Sequence, residues 1–338
     1  MKKLVTLLLS GAMLFAGLLM TGCDKVPPGL TLVRLNEVAR SVFYAPMYAA
    51  VTEGYFEEEG LYIELVTGQG ADKVMTALSS KSADIGLLGP EATVYAQAEG
   101  KLDYPIIFAQ LTKRDGSFIV SKKDEKDTFK WTDLRGKHIL AGRKGGMPSM
   151  TLQYVVNSNG MEITDMNFDQ SVDFAMMGPT FVSQPNIDYT TLFEPTASEV
   201  EKNGKGYVVA AVGEASGLVP YTSFSASKSY IESNEAVIKS FIRAIIKGYD
   251  FTVNADPLDV AKAMQPFFTG IELDMLKSSV IRYGEIDAWC ETPYFAEESY
   301  LMLQTVMMNA GELSKNVPYT KAVDNTYVNA VIAERKTA

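Results

Sequence analysis

The sequence has few of the side chains that carry most enzymatic and metal chemistry. Among its 338 residues are one histidine, His138, and two cysteines, Cys23 and Cys290. A Ser-His-Asp triad would have to use His138, which lies in an apolar stretch, and no GxSxG motif supplies a nucleophile. Metal sites usually need clustered His, Cys or carboxylate ligands, which so few histidines and cysteines do not supply. We therefore expect a protein that is not an enzyme, with no cofactor and no metal site.

Positive charge is also scarce. The chain has 31 Lys and Arg residues against 41 Asp and Glu residues, which gives a formal net charge of -10. Nucleic-acid binding requires a basic surface, so this balance argues against a nucleic-acid partner. After residue 20, no apolar run approaches the roughly 20 residues that a membrane span requires. The hydrophobic content of 47% is typical of an ordered globular protein, and the length allows two domains.

The first 29 residues carry a targeting pattern. Two lysines precede an apolar run at 4–20, and small residues follow it, as in a secretory signal peptide. The stretch LMTGC resembles a bacterial lipobox, so we expect residues 1–22 to be a signal peptide and Cys23 to be lipidated. Residues 23–29 end in VPPG and would form a stiff tether. This predicts a lipid-anchored protein on the extracytoplasmic face of the cell membrane; a plain secretory signal cut near Gly22 is the alternative.

Strand-like and helix-like segments alternate through most of the chain. Short apolar or alternating runs predict strands, and longer runs after turns predict the helices between them. This order predicts βαβ units and mainly parallel sheets, whereas the chain after Lys228 is strongly helical. The predicted strands are residues 30–35, 62–66, 83–88, 106–111, 138–141, 188–193 and 207–212.

A series of short motifs begins at residue 42. They are FYAP at 43–46, GYF at 54–56, EGL at 59–61, GQG at 68–70 and ADIG at 83–86. Further along the chain come LRGK at 134–137, FEP at 193–195 and YI at 230–231. In this order the motifs resemble the solute-binding proteins of bacterial ABC importers, in the nitrate/sulfonate/taurine and thiamine-pyrimidine group. The resemblance covers nearly all of the chain after the targeting segment.

The resemblance implies an α/β protein with the bilobal, type II periplasmic-binding-protein fold. Two lobes, each built on a mainly parallel sheet, would be joined by two crossover segments. Lobe 1 would comprise residues 30–115 and 222–338, and lobe 2 would comprise residues 116–221. A small-molecule ligand would bind between the lobes. The expected partner of this monomeric binding protein is a complex of an ABC permease and its ATPase.

Candidate ligand contacts follow from this implied architecture. In open α/β sheets, ligands bind beyond the carboxyl ends of strands, where helix N-termini present free N–H groups. For each aromatic candidate taken alone, packing in the core is the alternative. The loop at 142–149 lacks the full P-loop pattern, so nucleotide hydrolysis is not expected. The candidates are Phe43, Tyr44, Gln69, Gly70, Glu91, Arg143, Gly145, Gly146, Met147, Ser149, Tyr189, Glu194 and Tyr221.

The aromatic turns favour a flat heteroaromatic ligand, because stacking adds about 0.5–1.5 kcal/mol beyond burial. A pyrimidine precursor of thiamine or a flavin-like ring is therefore expected, and Glu194 could accept hydrogen bonds from an amino-pyrimidine. The alternative for Glu194 is a cap or dipole partner at the start of a lobe 2 helix. A carboxylate in the cleft argues against a small inorganic anion. Binding of an alkyl sulfonate, taurine or nitrate on the same scaffold stays open, as does a sensory role without transport. A pyrimidine-synthesis enzyme is a further alternative, although such enzymes carry a cysteine- and histidine-rich motif that this chain lacks.

Overall fold

The computed structural model describes residues 26–100 and 103–337. In this part of the chain, ten strands form two five-stranded sheets. The predicted signal peptide and Cys23 lie outside the described residues, whereas residues 26–29 of the predicted tether lie within them. Across the described ranges, no helix is both long and apolar enough to cross a membrane.

The strands follow the predicted alternation along the chain. The first sheet has the strand order β2-β1-β3-β10-β4, and the second has the order β7-β6-β8-β5-β9, with the bounds given next. The strands are β1 (Thr31–Glu37), β2 (Leu61–Thr67), β3 (Ile85–Leu88), β4 (Pro105–Thr112), β5 (Phe118–Ser121), β6 (His138–Leu140), β7 (Asn167–Asp169), β8 (Tyr189–Leu192), β9 (Tyr207–Ala211) and β10 (Thr222–Ser227).

Each sheet is mixed, because one strand runs against the other four. In the first sheet, β10 lies antiparallel between β3 and β4. In the second sheet, β5 lies antiparallel between β8 and β9. The remaining neighbours pair in parallel. The chain enters each of the two reversed strands, β5 and β10, from the other sheet. No βαβ crossover within one sheet therefore sets the direction of these strands. Both sheets are thus mainly parallel, as expected, and each contains one antiparallel strand.

Helices connect the strands and form most of the C-terminal part. In the first sheet's N-terminal half they are α1 (Ala45–Thr52), α2 (Tyr55–Glu58), α3 (Ala71–Ser79) and α4 (Glu91–Ala98). After the strands β6, β7, β8 and β9 of the second sheet come, in order, α5 (Met147–Ser158), α6 (Met177–Ser183), α7 (Thr196–Lys202) and α8 (Val212–Ser216). After β10 they are α9 (Lys228–Ser233), α10 (Glu235–Asn254), α11 (Pro257–Met264), α12 (Leu273–Glu285), α13 (Glu297–Asn309), α14 (Tyr319–Ala322) and α15 (Thr326–Thr337).

Helix α10 anchors the C-terminal part to the first sheet. Its buried residues include Ile238, Phe241, Ile242 and Ile245, a spacing that places them on one face of a helix. This face packs against α1 and α2. Gly248 permits the close approach, because a Cβ there would overlap the carbonyl oxygen of Pro46.

The chain passes between the two sheets twice, through residues 113–117 and 217–221. These crossover segments lie side by side. The N–H of Val219 donates to Lys113 O at 3.0 Å, and the N–H of Tyr221 donates to Thr112 O at 3.2 Å. The hydroxyls of Thr112 and Thr222 are 2.6 Å apart. The two segments therefore form a short paired hinge, while the lobe boundaries expected after residues 115 and 221 remain predictions.

Candidate ligand-binding site

A cavity of about 110 Å³ lies between the two lobes. Its walls come from the turns that precede α1, α3 and α4 on one side. The turn before α5 and the residue after β8 supply the other side. Because these turns follow the carboxyl ends of β1, β2, β3, β6 and β8, the cavity has the position expected for ligands of α/β folds. Residues of both lobes thus contribute to one small site.

Aromatic rings form much of the cavity wall. Tyr44, Phe193 and Tyr221 line it, and the ring of Phe43 lies behind them. The Phe43 ring centroid is 5.8 Å from that of Tyr44, 5.8 Å from that of Phe193 and 5.7 Å from that of Tyr221. Gly116 makes room for this ring, because a Cβ there would lie 2.7 Å from it. Phe43 therefore holds the wall together and does not face the cavity.

Glu91 places a carboxylate in this apolar site. It begins α4, and only 4% of the residue is exposed. Its Oε2 atom has no hydrogen-bond partner among the described residues. Burial raises the pKa of this carboxyl to about 7, although its own backbone N–H, Arg143 and the N–H of Met147 act in the opposite direction. A Cβ at Gly89 would overlap Oε2, so the glycine lets the carboxylate fold back over the turn.

A larger depression of about 540 Å³ adjoins the cavity and shares Ala71, Glu91 and Arg143 with it. Tyr95 of lobe 1 donates a hydrogen bond to Gly145 O at 3.1 Å. Lys144 Nζ lies 3.9 Å from Glu312 Oε1. These contacts hold the loop before α5 against lobe 1 and form the outer part of the cleft. Arg143 is exposed at the junction of the two spaces.

The structure brings together most of the residues expected from the sequence. Most of these residues lie in the turns at the N-terminal ends of the predicted helices. Gly145 lies beside them, in the outer depression. Whether any of them touches a ligand stays a prediction. The predicted residues that line the cavity are Tyr44, Gly70, Glu91, Arg143, Gly146, Met147 and Tyr221.

Tyr189 and Glu194 lie elsewhere, which corrects their expected placement in the cleft. Tyr189 begins β8, at the end of the strand away from the cavity, and its hydroxyl donates to Glu125 Oε2 at 2.7 Å. The carboxylate of Glu194 forms an ion pair with Arg282 and accepts the N–H of Ser198 at 3.1 Å. Glu194 is thus held as a buried helix cap and ion-pair partner, and neither residue is proposed as a ligand contact.

Three further candidates do not face the cavity. Phe43 supports the wall from behind, as described above. Gln69 is exposed, with a backbone φ of 61° in the turn before α3. Ser149 is fully buried, and its Oγ accepts a hydrogen bond from Gln170 Nε2 at 2.6 Å. The turns were located correctly, but the orientation of side chains within them depends on packing across the cleft.

Sequence reasoning missed Phe174 and Asp115. Phe174 lines the cavity although 42% of it is exposed, and its ring centroid lies 5.3 Å from that of Phe193. It stands in a polar stretch that gives no periodic signal. Asp115 is completely buried in the first crossover segment. Its sequence neighbours, Arg114 and Gly116, give the appearance of an exposed turn.

The residue types that bind metals are dispersed in the described part of the chain. Within the described ranges, no cluster of three or more His, Cys, Asp or Glu residues could hold a metal ion. His138 lies in β6, where its Nε2 is 3.2 Å from Asp169 Oδ2. This pair joins β6 to its neighbour β7 in the second sheet.

Comparison with known proteins identifies the family. The family model described as NMT1/THI5 like matches residues 42–257. The chain is also 41% identical over 310 residues to a putative binding protein YtlA of Bacillus subtilis (strain 168), with 91% of each chain covered. The chain belongs to the NMT1/THI5-like family. A second relative is the 4-amino-5-hydroxymethyl-2-methylpyrimidine phosphate synthase of Aspergillus parasiticus, 23% identical over 229 residues, or 64% of each chain.

Solved structures confirm the fold of this NMT1/THI5-like chain. It superposes on the alkanesulfonate-binding protein SsuA from Xanthomonas axonopodis pv. citri, bound to MOPS, with a TM-score of 0.70. Sequence identity is 17%, and the match covers 89% of this chain and 99% of that one. The bilobal periplasmic-binding-protein fold, which the resemblance of the motifs implied, is confirmed.

Proposed function

We propose that this protein is an extracytoplasmic solute-binding protein that captures a small organic ligand between its lobes and delivers it to an ABC importer. The observation that carries the proposal is the cavity shared by both lobes, with aromatic walls and one buried carboxylate. The 41% identical relative is called a putative binding protein, which supports binding as the activity. A permease with its ATPase would be the partner of the closed, monomeric protein.

The cavity favours a small ligand with an N–H donor. Its volume of about 110 Å³ is well below the roughly 300–1,000 Å³ of drug-sized pockets. This size argues against a flavin-like ring and suits a single substituted ring. Glu91 offers an oxygen that has no hydrogen-bond partner in the described part of the chain, and a donor group of the ligand would satisfy it. We therefore favour a pyrimidine of the thiamine-precursor type, with Glu91 in the role that the sequence suggested for Glu194.

An alkyl sulfonate is the second candidate, because Arg143 is exposed at the edge of the cavity and its side chain makes no ion pair within the described residues. A sulfonate-binding protein also shares the fold. The buried carboxylate disfavours this choice, since an anion beside Glu91 would be repelled. Nitrate is disfavoured for the same reason. A sensory role would use the same site and differ only in the partner.

The ligand class can be tested by thermal unfolding with 4-amino-5-hydroxymethyl-2-methylpyrimidine, MOPS and nitrate. We expect the pyrimidine to raise the melting temperature, because a ligand at 100 times its Kd stabilises the native state by about 2.7 kcal/mol. Tyr44→Ala should abolish the rise. Tyr189→Ala is the matched control, since this tyrosine lies away from the cavity, and should keep it. A rise with MOPS alone would favour sulfonate, and no rise with any of the three would reject the proposed ligand classes.

We also propose that Cys23 carries a lipid that tethers the protein to the membrane. The basis is the targeting pattern of the sequence, in which the cysteine follows the apolar run at the expected cut site. Stable anchoring takes two or more lipid signals, because one acyl chain holds only weakly.

Cys23→Ser should therefore move the protein from the membrane fraction to the soluble extracytoplasmic fraction of expressing cells. The wild-type protein and Cys290→Ser, which leaves the anchoring position intact, serve as controls and should stay with the membrane. Retention of Cys23→Ser on the membrane would contradict the anchor.

A further inference from the structure

A second buried carboxylate lies next to the cavity, in the crossover between the lobes. Asp115 is fully buried, and burial raises the pKa of its carboxyl to about 7. Its Oδ1 atom accepts hydrogen bonds from the N–H and the hydroxyl of Ser117, both at 2.6 Å. These bonds close the turn of the crossover segment and use only one of the two carboxylate oxygens.

Two hydroxyl groups from different parts of the fold lie near this carboxyl. Tyr221 comes from the second crossover segment, and Thr151 comes from α5 of lobe 2. Both hydroxyls are near enough to lower the pKa of Asp115. Asp115 Oδ2, the Tyr221 hydroxyl and the Thr151 hydroxyl each have no completed hydrogen bond within the described residues. Three buried polar atoms from three neighbouring segments thus each lack a completed hydrogen bond within the described residues, and leaving such a bond unmade is costly.

Tyr221 connects this point to the cavity. Its ring lines the cavity, packed between the rings of Phe43 and Phe193 at centroid distances of 5.7 Å and 6.0 Å. The ring contacts restrict where the tyrosine lies, but they do not fix the direction of its O–H bond. A phenol has one proton to donate. The group that accepts this proton therefore decides whether the phenolic oxygen can donate a hydrogen bond to a ligand or only accept one.

We propose that Asp115 is a positioning residue for the binding site: its free oxygen accepts the Tyr221 hydroxyl proton and so presents the phenolic oxygen and ring in a fixed orientation to the ligand. This inference rests on the proposed function of the cavity. Asp115 does not touch the ligand and acts through Tyr221. Because Asp115 and Tyr221 belong to the two crossover segments, the same bond ties the hinge strands together at the cavity wall.

The tyrosine itself reports the bond without any ligand. A hydrogen bond to a carboxylate perturbs the near-ultraviolet absorption of a phenol. We expect Asp115→Asn to change the tyrosine band of the difference spectrum in the wild-type background and to leave it unchanged in the Tyr221→Phe background. Ser117→Ala is the matched control, because it removes a bond of the turn and keeps the carboxylate, and should leave the band unaltered.

Binding provides the second measurement, with 4-amino-5-hydroxymethyl-2-methylpyrimidine or MOPS, whichever raises the melting temperature. Asp115→Asn should weaken binding by up to about tenfold, because a Tyr221 side chain that is no longer held must be ordered when the ligand binds. In the Tyr221→Phe background the same substitution should have no further effect on Kd. Equal effects in both backgrounds would show that Asp115 serves only the turn and would overturn the proposal.

The outcomes separate this inference from the proposed function. If neither probe binds, the proposed ligand class fails and the spectrum alone decides the role of Asp115. If the spectrum of Asp115→Asn is unchanged, or changes equally without Tyr221, the inference is wrong even where a ligand binds. Should Asp115→Asn not fold, Tyr221→Phe carries the test: the loss of a donor should raise the pKa of Asp115, read from its carboxyl ¹³C signal, and an unmoved pKa rejects the bond.

Discussion

Glu91→Gln is expected to weaken ligand binding while it stabilises the ligand-free protein at pH 8. The binding loss follows because the carboxylate is the acceptor that a donor on the ligand would meet. A hydrogen bond to a charged group contributes about 1.5–3 kcal/mol, so Kd should rise roughly tenfold or more. Calorimetric titration with 4-amino-5-hydroxymethyl-2-methylpyrimidine measures this change.

The gain in stability follows from the raised pKa of Glu91. Folding raises this pKa from 4.5 to about 7, so between these pH values the folded protein holds a proton that the unfolded chain releases. The free energy of unfolding therefore falls as the pH rises through this window. By pH 8 the cost of the buried charge reaches about 3 kcal/mol, which glutamine avoids. Burial also raises the pKa of Asp115 to about 7. Asp115 therefore lowers the free energy of unfolding with rising pH in the same direction, in the wild type and in Glu91→Gln alike.

Urea unfolding at pH 5 and pH 8 tests this expectation. The stability of Glu91→Gln should exceed that of the wild type at pH 8 and approach it at pH 5. Glu57→Gln, which alters an exposed carboxylate on α2, is the matched control and should follow the wild type at both pH values. Equal pH dependence in Glu91→Gln and wild type would mean that Glu91 does not carry a buried charge.

Arg282→Ala should strongly destabilise the folded protein. Arg282 of α12 pairs with the fully buried carboxylate of Glu194, and its second nitrogen lies 3.1 Å from Glu201 Oε2. Removing one partner of a buried ion pair leaves an uncompensated charge, at a cost of about 3–5 kcal/mol. Denaturant unfolding at pH 7 should therefore show a large fall in the free energy of unfolding.

Paired substitution separates this ion pair from simple loss of packing. Arg282→Met with Glu194→Gln removes both charges at similar volume, and we expect it to be much less destabilising than Arg282→Ala alone. Lys202→Ala is the surface control, since it breaks the exposed contact with Glu272 and should cost about 1 kcal/mol or less. Near-native stability of Arg282→Ala would make Glu194 a candidate ligand contact again.

Local patterns predicted much of the fold because strands and turns are specified by nearby residues. The alternation in 30–35 and the ADIG motif at 83–86 correctly marked β1 and β3, and the glycine turns correctly marked the starts of α3 and α5. The rule that ligands meet helix N-termini then brought Tyr44, Glu91 and Met147 to one cavity. These successes need no knowledge of distant contacts.

The errors arose where a distant partner decides what a side chain does. Glu194 resembles a cleft acid in the sequence, but Arg282 lies 88 residues further along the chain and neutralises it. Tyr189 was assigned to the correct strand, yet only the end of β8 at Leu192 reaches the cavity side. In the sequence, Asp115 resembles an exposed turn residue. In the folded protein, the second crossover segment and α5 bury it. Sequence periodicity contains none of these long-range pairings.

Burial of Glu91 between the two lobes raises the pKa of its carboxyl, and the contact of this carboxyl with the N–H of Met147 spans the lobes. The two groups belong to different lobes, so they approach each other only while the lobes are together. Any separation that admits water to Glu91 returns its carboxyl towards the acidity of a solvated glutamate. Near pH 6, closing of the lobes in the proposed capture of a solute would therefore take up a proton at Glu91, and opening would release it.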